Sequence, residues 1–162
     1  MPVAFACRAP AGAVWSRYLA TRARQVLRAL AVRSELSLSL VADPEMHELN
    51  RVHRGKDRPT DVLAFPLHEP PVAVDVASLG DVVISIDTAT LAAAEQRRPL
   101  AAVLDDLLIH GVLHLLGYDH EISPAEERRM ARKARTVRAA IGMLAPPARA
   151  TSPRPGVKRA RA

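Results

Sequence analysis

Three histidines carry the most specific chemical signal in the chain. His110 and His114 stand four residues apart in a run, Leu100 to Leu116, that is apolar almost all round and reads as a central, buried helix. That spacing puts both imidazoles on one face, one turn apart. Gly117 then permits a sharp turn, because glycine alone takes positive φ cheaply, and the turn can bring His120 back toward the other two. Three neutral nitrogens with an open fourth position make the pattern of a catalytic zinc site rather than a closed structural one. The competing reading is core histidines satisfied by hydrogen bonds. It has to explain two imidazoles buried on the most apolar helix, which costs free energy unless each finds a partner. His47, His53 and His68 lie in polar surroundings without mutual spacing and read as ordinary surface residues.

The frame His-x-x-x-His-x-x-Gly-x-x-His is also that of the metzincin ligands, with one difference. Those proteases carry glutamate after the first histidine as general base, whereas this chain has Gly111. The ligand frame is present without the protease base. A cation held this way lowers the pKa of bound water to roughly 7 and polarises a phosphoryl oxygen. Imidazole sites also accept nickel and copper, so zinc is the expectation rather than a deduction. Asp119 reads equally as an acceptor orienting one ring or as a capping acid.

The elements that must position these residues follow from pattern. Met1–Ala9 is short and mixed, an edge strand at most, and Val14–Val32 has helical apolar spacing with arginines between. Glu35–Ala42 alternates as a half-buried strand, and Asp43-Pro44 reads as a cap and first-turn proline of a helix to about Val52. Arg54–Thr60 reads as a loop, Asp61–Phe65 as a strand, and His68–Leu79 as a proline-flanked loop. Asp81–Ile86 reads as a strand, with Asp87 capping a helix to about Arg98. Ser123-Pro124 with Glu126 is a capping box opening a last helix to about Ile141, stopped by Gly142. The class is therefore α+β: one domain with a small mixed sheet of about four strands and about five helices around the histidine helix.

Composition narrows the partners. The chain has 162 residues, enough for one packed domain, and a net charge of +6. Arg149, Arg154, Lys158, Arg159 and Arg161 fall in the last stretch, 145–162, which has no acid; the rest is nearly neutral. That stretch lacks periodicity and reads as a basic, disordered tail, so the domain is expected over 1–144. Such a tail attracts polyanions or merely solubilises. The last helix adds Arg128, Arg129, Arg132, Lys133, Arg135 and Arg138, an RNA-tracking surface or a solvated face. Aromatics make up only 3% of the chain, so backbone contacts rather than base stacking should dominate any nucleic-acid recognition. Cys7 is the only cysteine, which excludes an intramolecular disulfide, and the opening residues lack the charged-then-apolar pattern of a secretory signal.

The segment His110-Gly-Val-Leu-His114-Leu-Leu-Gly-Tyr-Asp-His120 resembles the signature of the YbeY family of bacterial endoribonucleases. Two further segments, Arg54-Gly-Lys-Asp-Arg-Pro-Thr-Asp-Val-Leu-Ala-Phe-Pro66 and Leu79-Gly-Asp-Val-Val-Ile-Ser-Ile-Asp-Thr-Ala89, are similar to that family's other motifs and occur in its order. The likeness covers roughly Leu36 to Ile141. The chain departs at Ala64, where the family usually has serine, and at Ala134 and its basic neighbours, where a glutamate commonly follows the last helix's methionine.

The resemblance implies a single-strand-specific, metal-dependent RNase of the cytoplasm. It would act on ribosomal RNA in maturing the 3′ end of the small-subunit (16S) rRNA and in ribosome quality control. It implies one Zn2+ on His110, His114 and His120 and a functional role for Arg54; with these, Arg54 and His114 are taken as catalytic, and Arg54 and Lys56, the latter a point charge for a flanking phosphate, as substrate-binding. By residue type alone, Arg54 and Lys56 fit a solvated loop paired with Asp57 or Asp61; the resemblance gives Arg54 the functional reading, stabilising charge on a phosphate in flight. The attacking group (metal-activated water or the RNA 2′-hydroxyl) and the general base stay open. So do two other readings: a ribosome-associated assembly factor with a structural zinc, and a metal hydrolase of another substrate.

Overall fold

The computed structural model describes residues 3–150. Four strands form one sheet in the order β1-β2-β4-β3, with β1 (Val3–Cys7), β2 (Glu35–Val41) and β4 (Ser78–Ser85) parallel and β3 (Val62–Pro66) antiparallel to β4. The helices are α1 (Ser16–Ala29), α2 (Asp43–Arg54), α3 (Ile86–Gln96), α4 (Leu100–Leu115) and α5 (Pro124–Ile141). This is the α+β arrangement that the sequence predicts, and β1 is an edge strand.

The alternation in β2 works as written: Leu36, Leu38 and Leu40 are buried, while Ser37 and Ser39 are less so. These leucines join Val82 and Ile84 of β4 in the main core, which α1, α4 and α5 complete. The opposite face, with Leu63 and Val83, is covered by Met46 and Leu49 of α2 in a second, smaller cluster. With both faces covered, β4 is buried nearly throughout, as a central strand should be. Helix α4 packs on β3, β4, α1, α3 and α5, which is why Leu104, Leu108, Ile109, Val112, Leu113 and Leu115 can be apolar on every side. No helix among the described residues is long and apolar enough to cross a membrane.

Several boundaries differ from the sequence expectation, each for a local reason. Pro10–Trp15 forms a 3-10 turn before α1, and Ala31 in the left-handed region ends the helical segment early. Helix α2 runs through Arg54, so that residue sits on its last turn rather than in a loop, and Gly55 with φ 66° supplies the left-handed cap. Asp43 and Asp87 are first-turn acids, not caps; Ala42 and Ser85 take the cap positions. Asp43 instead accepts hydrogen bonds from the hydroxyls of Ser85 and Thr88, both at 2.6 Å, and its N–H donates to Asp87 at 2.8 Å. Two helix N-termini thus share two carboxylates, a favourable use of their dipoles. Ser123 caps α5 as expected, accepting from the Glu126 N–H at 3.1 Å.

A buried ion pair ties three helices together. Arg22 of α1 meets Asp105 of α4 at 3.0 and 3.1 Å, Tyr18 donates to the same carboxylate at 2.9 Å, and Arg22 also donates to the carbonyls of Ile141 and Gly142. At the start of the expected tail, Ala148–Ala150 forms a 3-10 turn near Pro10–Trp15, with Ala150 against the core. Residues 151–162, the rest of that tail, lie outside the described residues.

Candidate metal centre

The centre is built where α4 ends and the chain doubles back toward α5. His110 and His114 lie on the last two turns of α4, with ring centroids 4.7 Å apart. Gly117 makes the reversal at φ 97°, and a Cβ there would meet Pro70 Cγ at 2.7 Å, so both backbone angle and space demand glycine. The turn returns His120 to 5.0 Å from His110 and 5.3 Å from His114, centroid to centroid. One nitrogen from each ring lies within 4.8 Å of the others, and these are the only such group among the described residues. His47 instead pairs with Asp57, His53 packs edge-on to Phe65, and His68 bonds the Ser78 carbonyl.

The electrostatics favour the unprotonated form of His110 and His114. Burial, reinforced by the neighbouring His114 and His120, pushes the His110 pKa down to about 4 against a partial counter-effect from Asp61. His114 is lowered for the same first reason, with His120 and Arg54 adding to it and Asp119 and Glu121 opposing. Neutral rings keep a lone pair free for a cation. His120 Nδ1 is the one buried side-chain polar atom among the described residues without a hydrogen-bond partner, an expense that a bound ion would remove. The donor set and this orphaned atom fit a metal ion.

The cleft beside the rings, about 310 Å³, is lined by His110, His120, Arg54, Lys56, Arg58 and Asp61, with Asn50 and Glu121 among its other walls. Arg54 and Lys56 are thus brought to the histidines, Arg54 from α2 and Lys56 from the loop after it. Arg54 does not pair with Asp57 or Asp61; its Nη2 lies 3.7 Å from Glu121 Oε1, and Glu121 is also 3.8 Å from His120 Nε2. Asp119 accepts from the Glu121 N–H at 2.8 Å, so its recorded hydrogen bond is the loop-capping one.

Four wall residues escaped the sequence reading as site residues: Asn50, Arg58, Asp61 and Glu121. Asn50 is four residues before Arg54 on the same helix face; fully buried, it donates to the Arg58 carbonyl at 2.8 Å and holds the basic loop closed. That four-residue spacing was the available signal. Glu121 follows His120 directly, but nothing in sequence told which way its carboxylate would turn. Gly111, at the position of the metzincin base, faces the sheet: a Cβ there would press on Val82 and Val62. The missing base is therefore a packing requirement of this fold.

Comparison with known proteins agrees with this geometry. A family model described as Endoribonuclease YbeY matches residues 13–142. The chain is 50% identical over 145 residues to the Endoribonuclease YbeY of Anaeromyxobacter sp. (strain Fw109-5), covering 89% of this chain and 74% of that protein. It is also 50% identical over 136 residues to that of Anaeromyxobacter dehalogenans (strain 2CP-C), covering 83% and 69% respectively. The solution structure of TM1509 from Thermotoga maritima superposes with a TM-score of 0.63 at 27% identity, over 86% of this chain and 88% of that one. A match of this extent, with the histidine cluster folded as its motif requires, makes the chain a member of the YbeY endoribonuclease family.

Proposed function

We propose that the chain is a zinc-dependent endoribonuclease that cleaves single-stranded RNA. In this reading it matures the 3′ end of small-subunit rRNA, takes part in ribosome quality control, and works in the cytoplasm on the ribosome or its small subunit. The observation that carries the reading is three imidazoles converging beside a cleft whose other walls hold Arg54, Lys56 and Arg58.

His110, His114 and His120 would hold the ion; when bound, it supplies Lewis-acid polarisation of a phosphoryl oxygen and acidifies water. Arg54 donates paired hydrogen bonds to the phosphate oxygens as charge builds on them. Lys56 holds a flanking phosphate as a point charge. Asn50 keeps the loop that carries Lys56 and Arg58 in place, and Glu121 occupies Arg54 until a phosphate displaces it. The catalytic domain is placed at 1–144, with 145–162 as a basic extension.

Metal analysis coupled to an RNase assay, on wild type and His114→Ala, tests this. The wild type should carry about one zinc per chain and cleave single-stranded RNA, and the variant should lose both. Unchanged metal content in the variant, or cleavage of peptides but not RNA by the wild type, would overturn it.

A further inference from the structure

The histidine cleft uses none of the arginines on the outer faces of α1 and α5. Helix α1 has no acidic residue, and α5 has none after Glu127. Arg17, Arg24 and Arg28 are seven and four residues apart, so they form one stripe, and all three are exposed. Arg128, Arg132 and Arg135, four and three apart, form a second exposed stripe on α5. The ion pairs among the described residues include none of these six. On α2, by contrast, Arg51 is paired with Glu48 one turn away, the usual dress of a solvated helix.

The two helices run antiparallel. Arg22, midway along α1, reaches the carbonyls of Ile141 and Gly142 at the far end of α5, while Leu30, just past α1, shares a cleft with Arg129 and Lys133 near its start. The stripes therefore belong to one packed helix pair. At one end Arg17 and Arg149 line a common cleft; at the other, α5 begins at Pro124, a few residues after His120.

We infer that this two-helix face docks double-helical RNA by its sugar–phosphate backbone and so presents an adjoining single-stranded segment to the histidine cleft. The inference rests on reading the chain as an RNase. Six guanidinium groups without carboxylate partners repel one another, a cost that a polyanion removes. Guanidinium matches phosphate bidentately. Of the aromatic rings near the face, Trp15 and Tyr18 are buried, and the half-buried Tyr118 is covered by the Arg129 guanidinium, whose Cζ lies 4.7 Å from the ring centroid, so no ring is a free platform on which unpaired bases could stack. A-form duplex hides its bases and displays phosphates, which suits such a surface. Helix α5, roughly 27 Å long at 1.5 Å per residue, is long enough to follow several phosphates.

The test measures binding by fluorescence anisotropy across a salt series. The RNAs are a hairpin with a single-stranded 3′ tail and the tail alone; the proteins are full-length wild type, R17Q/R24Q/R28Q and R128Q/R132Q/R135Q, with folding checked by circular dichroism. Each triple variant should bind the hairpin about tenfold or more weakly, and its log–log salt slope should fall by about 2 to 3. Binding and cleavage of the tail alone should stay as in the wild type. Equal loss on both RNAs would overturn the inference in favour of a single-strand track. No loss on either would leave a solvated face, and polyglutamate displacing the hairpin as well as duplex RNA does would mean a surface for acidic protein. If the wild type binds the hairpin through these arginines yet cleaves no RNA, the RNase reading fails while the docking face stands.

Discussion

Gly111 lies so close to Val82 that a methyl group on its Cα would meet Val82 Cγ1 at 2.6 Å. This contact lets α4 sit deep on β3 and β4, and it sets the depth at which His110, the next residue back, emerges into the cleft. Gly111→Ala should therefore destabilise the protein by about 1–2 kcal/mol, since the clash outweighs alanine's better helix propensity. Urea unfolding of G111A, V82A and the double variant checks it. The double should lose less than the sum of the singles, and a more stable G111A would refute the close-packing account.

Acid should loosen the metal-free protein. His110 has a folded pKa near 4 against an ordinary 6.5, so as pH falls the unfolded chain takes the proton first. Stability is full above about pH 6.5, declines as pH falls toward 4, and levels off below that; His114 acts with the same sign. The site is partly open to solvent, so the loss should be on the order of 1–2 kcal/mol. Urea midpoints of the metal-free protein between pH 7.5 and 4 should show the decline, and His110→Gln should flatten it. Identical profiles would remove His110 as its cause.

Removing the Arg54 guanidinium should separate chemistry from structure. Its one ion pair, to Glu121 at 3.7 Å, is exposed and contributes little to stability. Arg54→Ala should keep its metal content and its melting temperature within a degree or two, while cleavage of single-stranded RNA drops by about 10²–10³. Turnover within threefold of wild type would exclude Arg54 from the reaction.

The Arg22–Asp105 pair should behave as a structural clamp. Asp105→Ala leaves a buried guanidinium without its anion and should cost about 3–5 kcal/mol. Arg22→Met combined with Asp105→Leu should regain most of that but not all, because the carbonyls of Ile141 and Gly142 lose their donor. Denaturant midpoints decide, and a double variant as unstable as Asp105→Ala would contradict the clamp.

The sequence by itself determined what short-range chemistry controls. Helical spacing fixed the shared face of His110 and His114, Gly117 marked the reversal that returns His120, strict alternation wrote β2, and Ser123 with Glu126 wrote the start of α5. Each depends on neighbours within a few residues, whose geometry the backbone dictates. Tertiary structure decided the rest. It moved Arg54 onto a helix end, turned it to Glu121 instead of Asp57 or Asp61, and brought Asn50 and Asp61 to the same cleft. It turned the Asp43 carboxylate to the hydroxyls of Ser85 and Thr88 and the Asp87 carboxylate to the Asp43 N–H, while Ala42 and Ser85 hold the cap positions. It also packed α1, with its arginines, against α5, about a hundred residues further along the chain. Such contacts depend on how helices stack on a sheet, and no local pattern records which side chains will meet there.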